Sequence, residues 1–250
     1  MQGDGVSFSI AAHAAWAPGV DDPQAWARWA DAPFRFSSEE EPGARAIPPM
    51  LRRRAGFLDK MALEVACRCI EGESAIPVIF CSRHGEVARA VALLDDLVKD
   101  APLSPTTFSL AVHNAAAGLF SIARGDRANH IALSAGADSV EHGVIEACGL
   151  LADGAEKVLL VSYDDRLPAI FAPYADGDEQ PHAWAWLMVP SGDQALHLGW
   201  EMSPQAEPQT LSRNLQTLSP SLQVLRFQLR SDALLVRAAG KRRWRWTRHA

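Results

Sequence analysis

The residues of most chemical interest form the run Ser134-Ala135-Gly136-Ala137-Asp138-Ser139, where an apolar stretch gives way to a helical pattern. A strand end meeting a helix start leaves backbone N–H groups free, and such groups hold anions or stabilise a thiolate. Covalent chemistry there needs a nucleophile with a base beside it. Ser134 or Ser139 with a histidine would make a small serine hydrolase, and that is one reading. The flanking glycines of a GxSxG elbow are absent, and no GxGxxG or Walker A phosphate loop occurs in the chain. Gly136 alone equally answers the needs of a tight turn. His113 reads as a capping or packing residue. His142 falls in the first turn of the following helix, where the dipole disfavours a cation, and Asp138 suits the same helix start as a cap.

Other groups point away from metals and cofactors. Cys67, Cys69, Cys81 and Cys148 show no CxxC spacing, so neither a zinc site nor a disulfide framework is expected, and no cofactor motif is present. Arg52, Arg53 and Arg54 read either as a solvated loop or as a phosphate contact, because guanidinium groups grip phosphate bidentately. The last ten residues, KRRWRWTRHA, hold Lys241, Arg242, Arg243, Arg245 and Arg248 and no acid. They read as a solvated tail, or as a patch for an acidic partner anchored by Trp244 and Trp246. The whole chain carries −6, which argues against nucleic acid as a partner. No apolar run reaches the roughly 18 residues of a membrane span, and the first residues lack the basic and apolar regions of a secretory leader. A cytoplasmic protein is expected.

These groups need elements to hold them. At 250 residues, 48% of them hydrophobic, the chain is long enough for a sizeable core. An apolar stretch over 6–16 suits a buried strand. Residues 17–56, with Pro23, Pro33 and the acidic run 39–41, read as loop. Leu58, Met61, Ala62, Val65 and Cys69 recur at helical spacing over 57–70, and Val87, Ala90, Val91, Leu94, Leu97 and Val98 do so over 87–98. Segment 76–81 is a strand candidate between them. A small-residue helix is expected over 114–123. Strand 130–135, helix 139–153 and strand 157–162 make a βαβ unit, with Gly154 closing the helix. Further strands are expected at 183–189 and 197–202, a polar linker at 203–220, and a helix or strand pair over 222–239. The fold class is α/β. The boundary falls at 202, with a domain over 1–202 and a C-terminal extension over 203–250 ending in the basic, Trp-rich tail.

The run SPTTFSLAVHNAAAGLFSI (104–122), and then HIALSAGADSVEHGVIEACGLLADGAEKVLLVSYDD (130–165), resemble the N-terminal half of the β-ketoacyl synthases of the thiolase superfamily. Asn114 and Gly118 match the family's N-x-x-x-G helix, and Asp153-Gly154 with 158–162 match its later helix end and strand. The nearer resemblance is to the short, chain-length-factor-type subunits of aryl polyene clusters, on Pro48-Pro49-Met50, the Arg52–Arg54 triplet and the tail. The resemblance is strong over 45–190 and looser elsewhere. It implies a thiolase-like fold, here a single truncated half with a mixed or parallel sheet flanked by helices. It also implies that Gly136 occupies the position of the nucleophilic cysteine, and that the catalytic histidines of a second half are missing. A chain of this kind is expected to be no enzyme. It would serve a catalytic β-ketoacyl synthase as its heterodimer partner, with an acyl carrier protein as a further candidate partner met through Arg52, Arg53 and Arg54. The family's two-fold axis implies an interface and tunnel wall built from His130, Ile131, Leu133, Asn114, Ala117, Gly118, Leu119 and Phe120, with Leu119 and Phe120 limiting the acyl chain. A degenerate structural homodimer is the remaining alternative.

Overall fold

The computed structural model describes residues 5–175, 177–202 and 218–248. One mixed sheet of eight strands organises them, in the order β3-β2-β4-β5-β1-β6-β8-β7. The strands are β1 (Gly5–Trp16), β2 (Val78–Cys81), β3 (His130–Leu133), β4 (Val158–Asp164), β5 (His182–Pro190), β6 (Leu196–Met202), β7 (Leu234–Ala239) and β8 (Arg242–Arg248). β2 pairs in parallel with both β3 and β4, and every other pairing is antiparallel. The expected βαβ unit is therefore present with one strand inserted: the crossover from β3 to β4 passes β2.

Helices cover both faces, giving three layers. On one face lie α1 (Pro23–Asp31), α7 (Ser139–Ala152) and α8 (Pro220–Leu229), burying Trp26, Trp29, Val144 and Leu222 against Trp184, Trp186 and Trp246. On the other lie α3 (Phe57–Cys69) and α6 (Ala115–Arg124), burying Met61, Val65, Ala117 and Phe120 against Phe80, Val161 and Ala185. α2 (Pro49–Arg54), α4 (Val87–Val98) and α5 (Pro105–Ser109) lie further out. α3 forms where the sequence pattern places it, because its apolar stripe is its buried face.

β1 serves both faces. Its register shifts between Ile10 and Ala12, so Phe8 and Ile10 join one core while Ala12, Ala14 and Trp16 join the other. An extra residue in one strand reverses which side chains point inward beyond it.

Three expectations are corrected. Residues 23–31 form a helix, not a loop: the Asp22 carboxylate accepts from the N–H groups of Gln24 and Ala25, and Pro23 sits in the first turn. The arginine triplet ends the short helix α2. The C-terminal extension is no separate tail where it is described: β8 pairs with β6 and β7, and Trp244 and Trp246 are fully buried. Alternation of arginine and tryptophan puts the rings inside and Arg243 and Arg245 on the other face, so neither tryptophan can anchor a partner. Most of the expected linker, 203–217, lies outside the described residues.

Candidate functional site

The C-terminal ends of the parallel strands β2, β3 and β4 converge on the turn that opens α7. In α/β sheets this edge is where ligands and chemistry are placed. β3 delivers Ser134, the chain turns through a short 3-10 segment (Gly136–Asp138), and α7 begins at Ser139. Ser139 pins the turn, its Oγ accepting from the Ala135 N–H (3.0 Å) and donating to the Gly136 carbonyl (2.8 Å). Gly136 has φ +61°, the left-handed region that favours glycine, and a Cβ placed on it would meet no atom within 4 Å.

Arg237 on β7 holds the same turn from behind. Its guanidinium forms a buried ion pair with Glu141 on α7 and donates to the Ala137 carbonyl at 3.0 Å. Trp246 Nε1 also donates to Glu141, at 3.3 Å. The C-terminal strands thus fix the segment that the sequence singles out.

Gly136 borders a small cavity of about 30 Å³ that Arg83, His84, Asp164, Glu179 and His182 also line. That is room for about two water molecules, far below the volume of a typical ligand pocket. Asp164, at the end of β4, accepts from Ser82 Oγ (3.0 Å) and from the Arg83 N–H (2.8 Å). Burial outweighs those hydrogen bonds and pushes its carboxyl up to about 7. His182 is fully buried, which pushes its pKa down to about 4 and leaves the ring neutral. Its Nδ1 donates to the Gln180 carbonyl (2.7 Å), since a carbonyl only accepts, and Nε2 has no hydrogen-bond partner. Glu179 contacts both Arg83 (3.4 Å) and His84 (3.3 Å).

No activated nucleophile stands in this arrangement among the described residues. Ser134 Oγ donates to the Arg83 carbonyl (2.8 Å) and Ser139 Oγ to Gly136, so neither is bonded to a histidine. A serine–histidine contact does occur between Ser7 and His197 (3.0 Å), on the antiparallel half of the sheet. Burial drives all four thiols upward, Cys67 to about 11, Cys69 and Cys148 to about 12, and Cys81 further, so none is a thiolate at neutral pH. No group of three or more metal-ligating side chains occurs among the described residues, and no helix there is long and apolar enough to cross a membrane.

The expected interface residues divide into two sets. β3 is an edge strand, with His130 exposed and Ile131 and Leu133 half-buried. α6 packs beside it and turns Asn114, Gly118 and Ile122 outward, at i, i+4 and i+8. Ala117, Leu119 and Phe120 point the other way. Phe120 packs edge-on to Phe80, ring centroids 5.6 Å apart, and Leu119 lies in the same core. These three residues therefore wall the subunit's own interior. The helical period dictates this, since 117 and 120 share a face that 118 and 122 do not. Exposed apolar side chains occur on three helices: Ile122 on α6 (66% exposed), Phe108 on α5 (67%), and Val98 on α4 (84%) with Leu94 and Leu97. Arg53 and Arg54 are exposed and Arg52 half-buried, none with an ion-pair partner among the described residues.

Glu141, Arg237, Asp164 and His182 were not anticipated from sequence. Glu141 had a signal, an acid on the same helical stripe as Val144 and Cys148, since a buried carboxylate requires a partner. Asp164 ends a strand that reads as apolar. His182 had none, because its burial depends on the pairing of β5 with β4.

The family model described as the β-ketoacyl synthase N-terminal domain matches residues 26–247, a wider span than the resemblance over 45–190. The structure of the ketosynthase ApeO in complex with its chain length factor ApeC, from Xenorhabdus doucetiae, includes a chain that is 27% identical. It superposes with a TM-score of 0.83 over 97% of this chain and 99% of its own. The ishigamide ketosynthase/chain length factor is 15% identical, with a TM-score of 0.63 over 82% of this chain and 69% of its own, and so shares the fold. The ketosynthase from module 1 of the bacillaene synthase of Bacillus amyloliquefaciens FZB42, 13% identical, matches with a TM-score of 0.58 over 81% of this chain and 47% of its own. No curated protein matches the sequence. With the mixed sheet between helical layers, and a family match spanning most of its length, the chain belongs to the β-ketoacyl synthase N-terminal domain family.

Proposed function

We propose that the chain is a non-catalytic, chain-length-factor-type subunit that completes a heterodimer with a catalytic β-ketoacyl synthase in aryl polyene biosynthesis. The observation that carries this reading is Gly136. It stands at the head of α7, where the family resemblance puts the nucleophilic cysteine, and the cavity beside it is too small for an acyl chain. The full-length likeness to a chain of the ApeO–ApeC complex supports a subunit of that kind. The edge strand β3 with α6 beside it, and the exposed apolar residues of α4 and α5, offer surface for a partner, because unpaired strand edges and exposed apolar patches are what association covers.

Control of chain length in such a dimer is steric and lies at the interface. Gly118 and Ile122 face outward, and Leu119 and Phe120 set the position of α6 from within. Arg53 and Arg54 offer a contact for an acidic carrier protein or its phosphopantetheine.

The test is co-expression with a β-ketoacyl synthase from an aryl polyene cluster. One subunit is tagged, and the captured material is sized by chromatography with mass measurement. A one-to-one complex, whose condensing activity disappears with the partner's cysteine, is the expected result. A monodisperse monomer or homodimer that ignores the synthase overturns the reading.

A further inference from the structure

α4 presents most of its surface to solvent, burying only Leu93 of its twelve residues, yet it starts on a buried charged cluster. Asp59, in the first turn of α3, is fully buried and accepts from the Gly56 N–H at 3.1 Å. Glu86 and Arg89 come from the start of α4. Arg89 donates to Glu86 through Nε (3.0 Å) and to Asp59 through a terminal nitrogen (3.3 Å). One guanidinium therefore serves two carboxylates. Each carboxylate keeps a second oxygen, Oδ1 of Asp59 and Oε1 of Glu86, that is buried with no hydrogen-bond partner.

Two negative charges and one positive charge in a largely buried site, with Asp59 fully enclosed, leave one charge uncompensated, and a proton shared by the acids removes it. We propose that Asp59 and Glu86 share one proton, and that this protonated pair is a pH-sensitive latch holding α4 against α3. The protonated acid donates to the other, so both orphaned oxygens gain a role. Several other groups face the cluster. Burial holds the Tyr163 hydroxyl on β4 well above its ordinary range, and Asp59, Cys81 on β2, Asp164 on β4 and Glu86 add to the rise. The Tyr163 hydroxyl donates to the His113 carbonyl (3.3 Å), and His113 Nε2 donates to the Leu133 carbonyl at the end of β3 (3.1 Å). His113 also lies tight against the turn before Glu86: a Cβ on Gly85, whose φ is +55°, would come within 2.4 Å of its Nδ1. The latch thus joins α4 to the elements that carry the proposed docking face.

The direction with pH follows from burial and from Glu86, which push the Asp59 carboxyl up to about 7 from an ordinary 3.8. An acid raised in the closed form favours closure at low pH. Closure weakens as pH climbs from about 4 towards 7, and above that the effect is complete. The latch is a property of this chain alone. Only its consequence for partner affinity rests on the function proposed above, so hydrogen exchange on the chain tests it even where no partner binds.

Amide exchange is followed in 87–98 between pH 5 and 8, corrected for the intrinsic pH dependence of exchange. The opening constant of α4 is expected to rise several-fold per pH unit up to about 7, with tenfold as the limit for one proton, and then to level off. Asp59→Asn mimics the protonated acid and keeps the acceptor for Gly56, so it should abolish this dependence and protect α4 at pH 7.5. Glu86→Gln provides the same test from the other side of the pair. A flat profile for the natural chain, or an unchanged slope in either variant that folds, overturns the latch.

Discussion

Arg237 and Glu141, 96 residues apart in the sequence, form an ion pair in the core, 3% and 0% exposed at their side chains. The pair ties the last hairpin of the sheet to the first turn of α7, and through the Ala137 carbonyl it reaches the Gly136 turn itself. The C-terminal strands therefore hold the turn around Gly136 from behind.

Removing one member strands a buried charge, and Arg237→Ala should cost about 3–5 kcal/mol. Replacing both with apolar residues of similar volume, Arg237→Met with Glu141→Leu, should recover most of that loss. Urea unfolding of the single and double variants measures both numbers. A double variant as unstable as Arg237→Ala would mean that the hydrogen bond to Ala137, and not the charge, is the larger contribution.

Much of this architecture is legible in the sequence where local pattern and tertiary burial agree. The stripe of α3 and the strand–helix–strand run into β4 are examples. Legibility fails where composition hides a period. Prolines and acids between 17 and 56 suggest a loop, although Asp22-Pro23 followed by Ala25, Trp26, Trp29 and Ala30 is a capped amphipathic helix. Positive charge makes 241–248 look like a tail, although alternation with tryptophan is the period of a half-buried strand. The position of β2 between β3 and β4, and the burial of His182, depend on strand order, which no local window contains.

His182 gives the candidate site an acid limit. The folded state holds its ring neutral down to about 4, whereas an unfolded chain protonates it near 6.5. The stability this group contributes is present above about 6.5 and is lost as pH falls towards 4. The loss amounts to at most about 3 kcal/mol. His182→Gln keeps a donor for the Gln180 carbonyl and cannot charge. Measured from pH 7 to pH 4 by chemical unfolding, the variant should gain on the natural chain by up to that amount. The buried carboxyls act in the opposite direction, so the difference between the two proteins is the informative quantity.

A cysteine at position 136 tests how much of the family's chemistry the turn retains. Gly136→Cys has space for its side chain, but φ +61° should cost about 1 kcal/mol. The variant should fold, as judged by its thermal midpoint, and its thiol should react with iodoacetamide. It should not restore condensation to a heterodimer whose synthase has lost its own cysteine, because burial pushes the His182 pKa down to about 4 and makes its ring a poor base, and no base is bonded to the turn among the described residues. Restored product formation would show that the fold had lost the nucleophile alone.

Neighbouring positions on α6 should separate folding from assembly. Phe120→Ala removes a ring packed against Phe80 and should cost about 3–5 kcal/mol in unfolding experiments, with weaker binding only as a consequence. Ile122→Asp lies two residues on and two-thirds exposed, so it should change the stability of the chain by about 0.5 kcal/mol or less. On a face that a synthase covers, the same aspartate is buried without a partner, and capture of the synthase should fall at least tenfold. Pull-down with both variants distinguishes the cases. Unchanged capture by a folded Ile122→Asp would move the docking face off the outer side of α6 and onto the edge of β3.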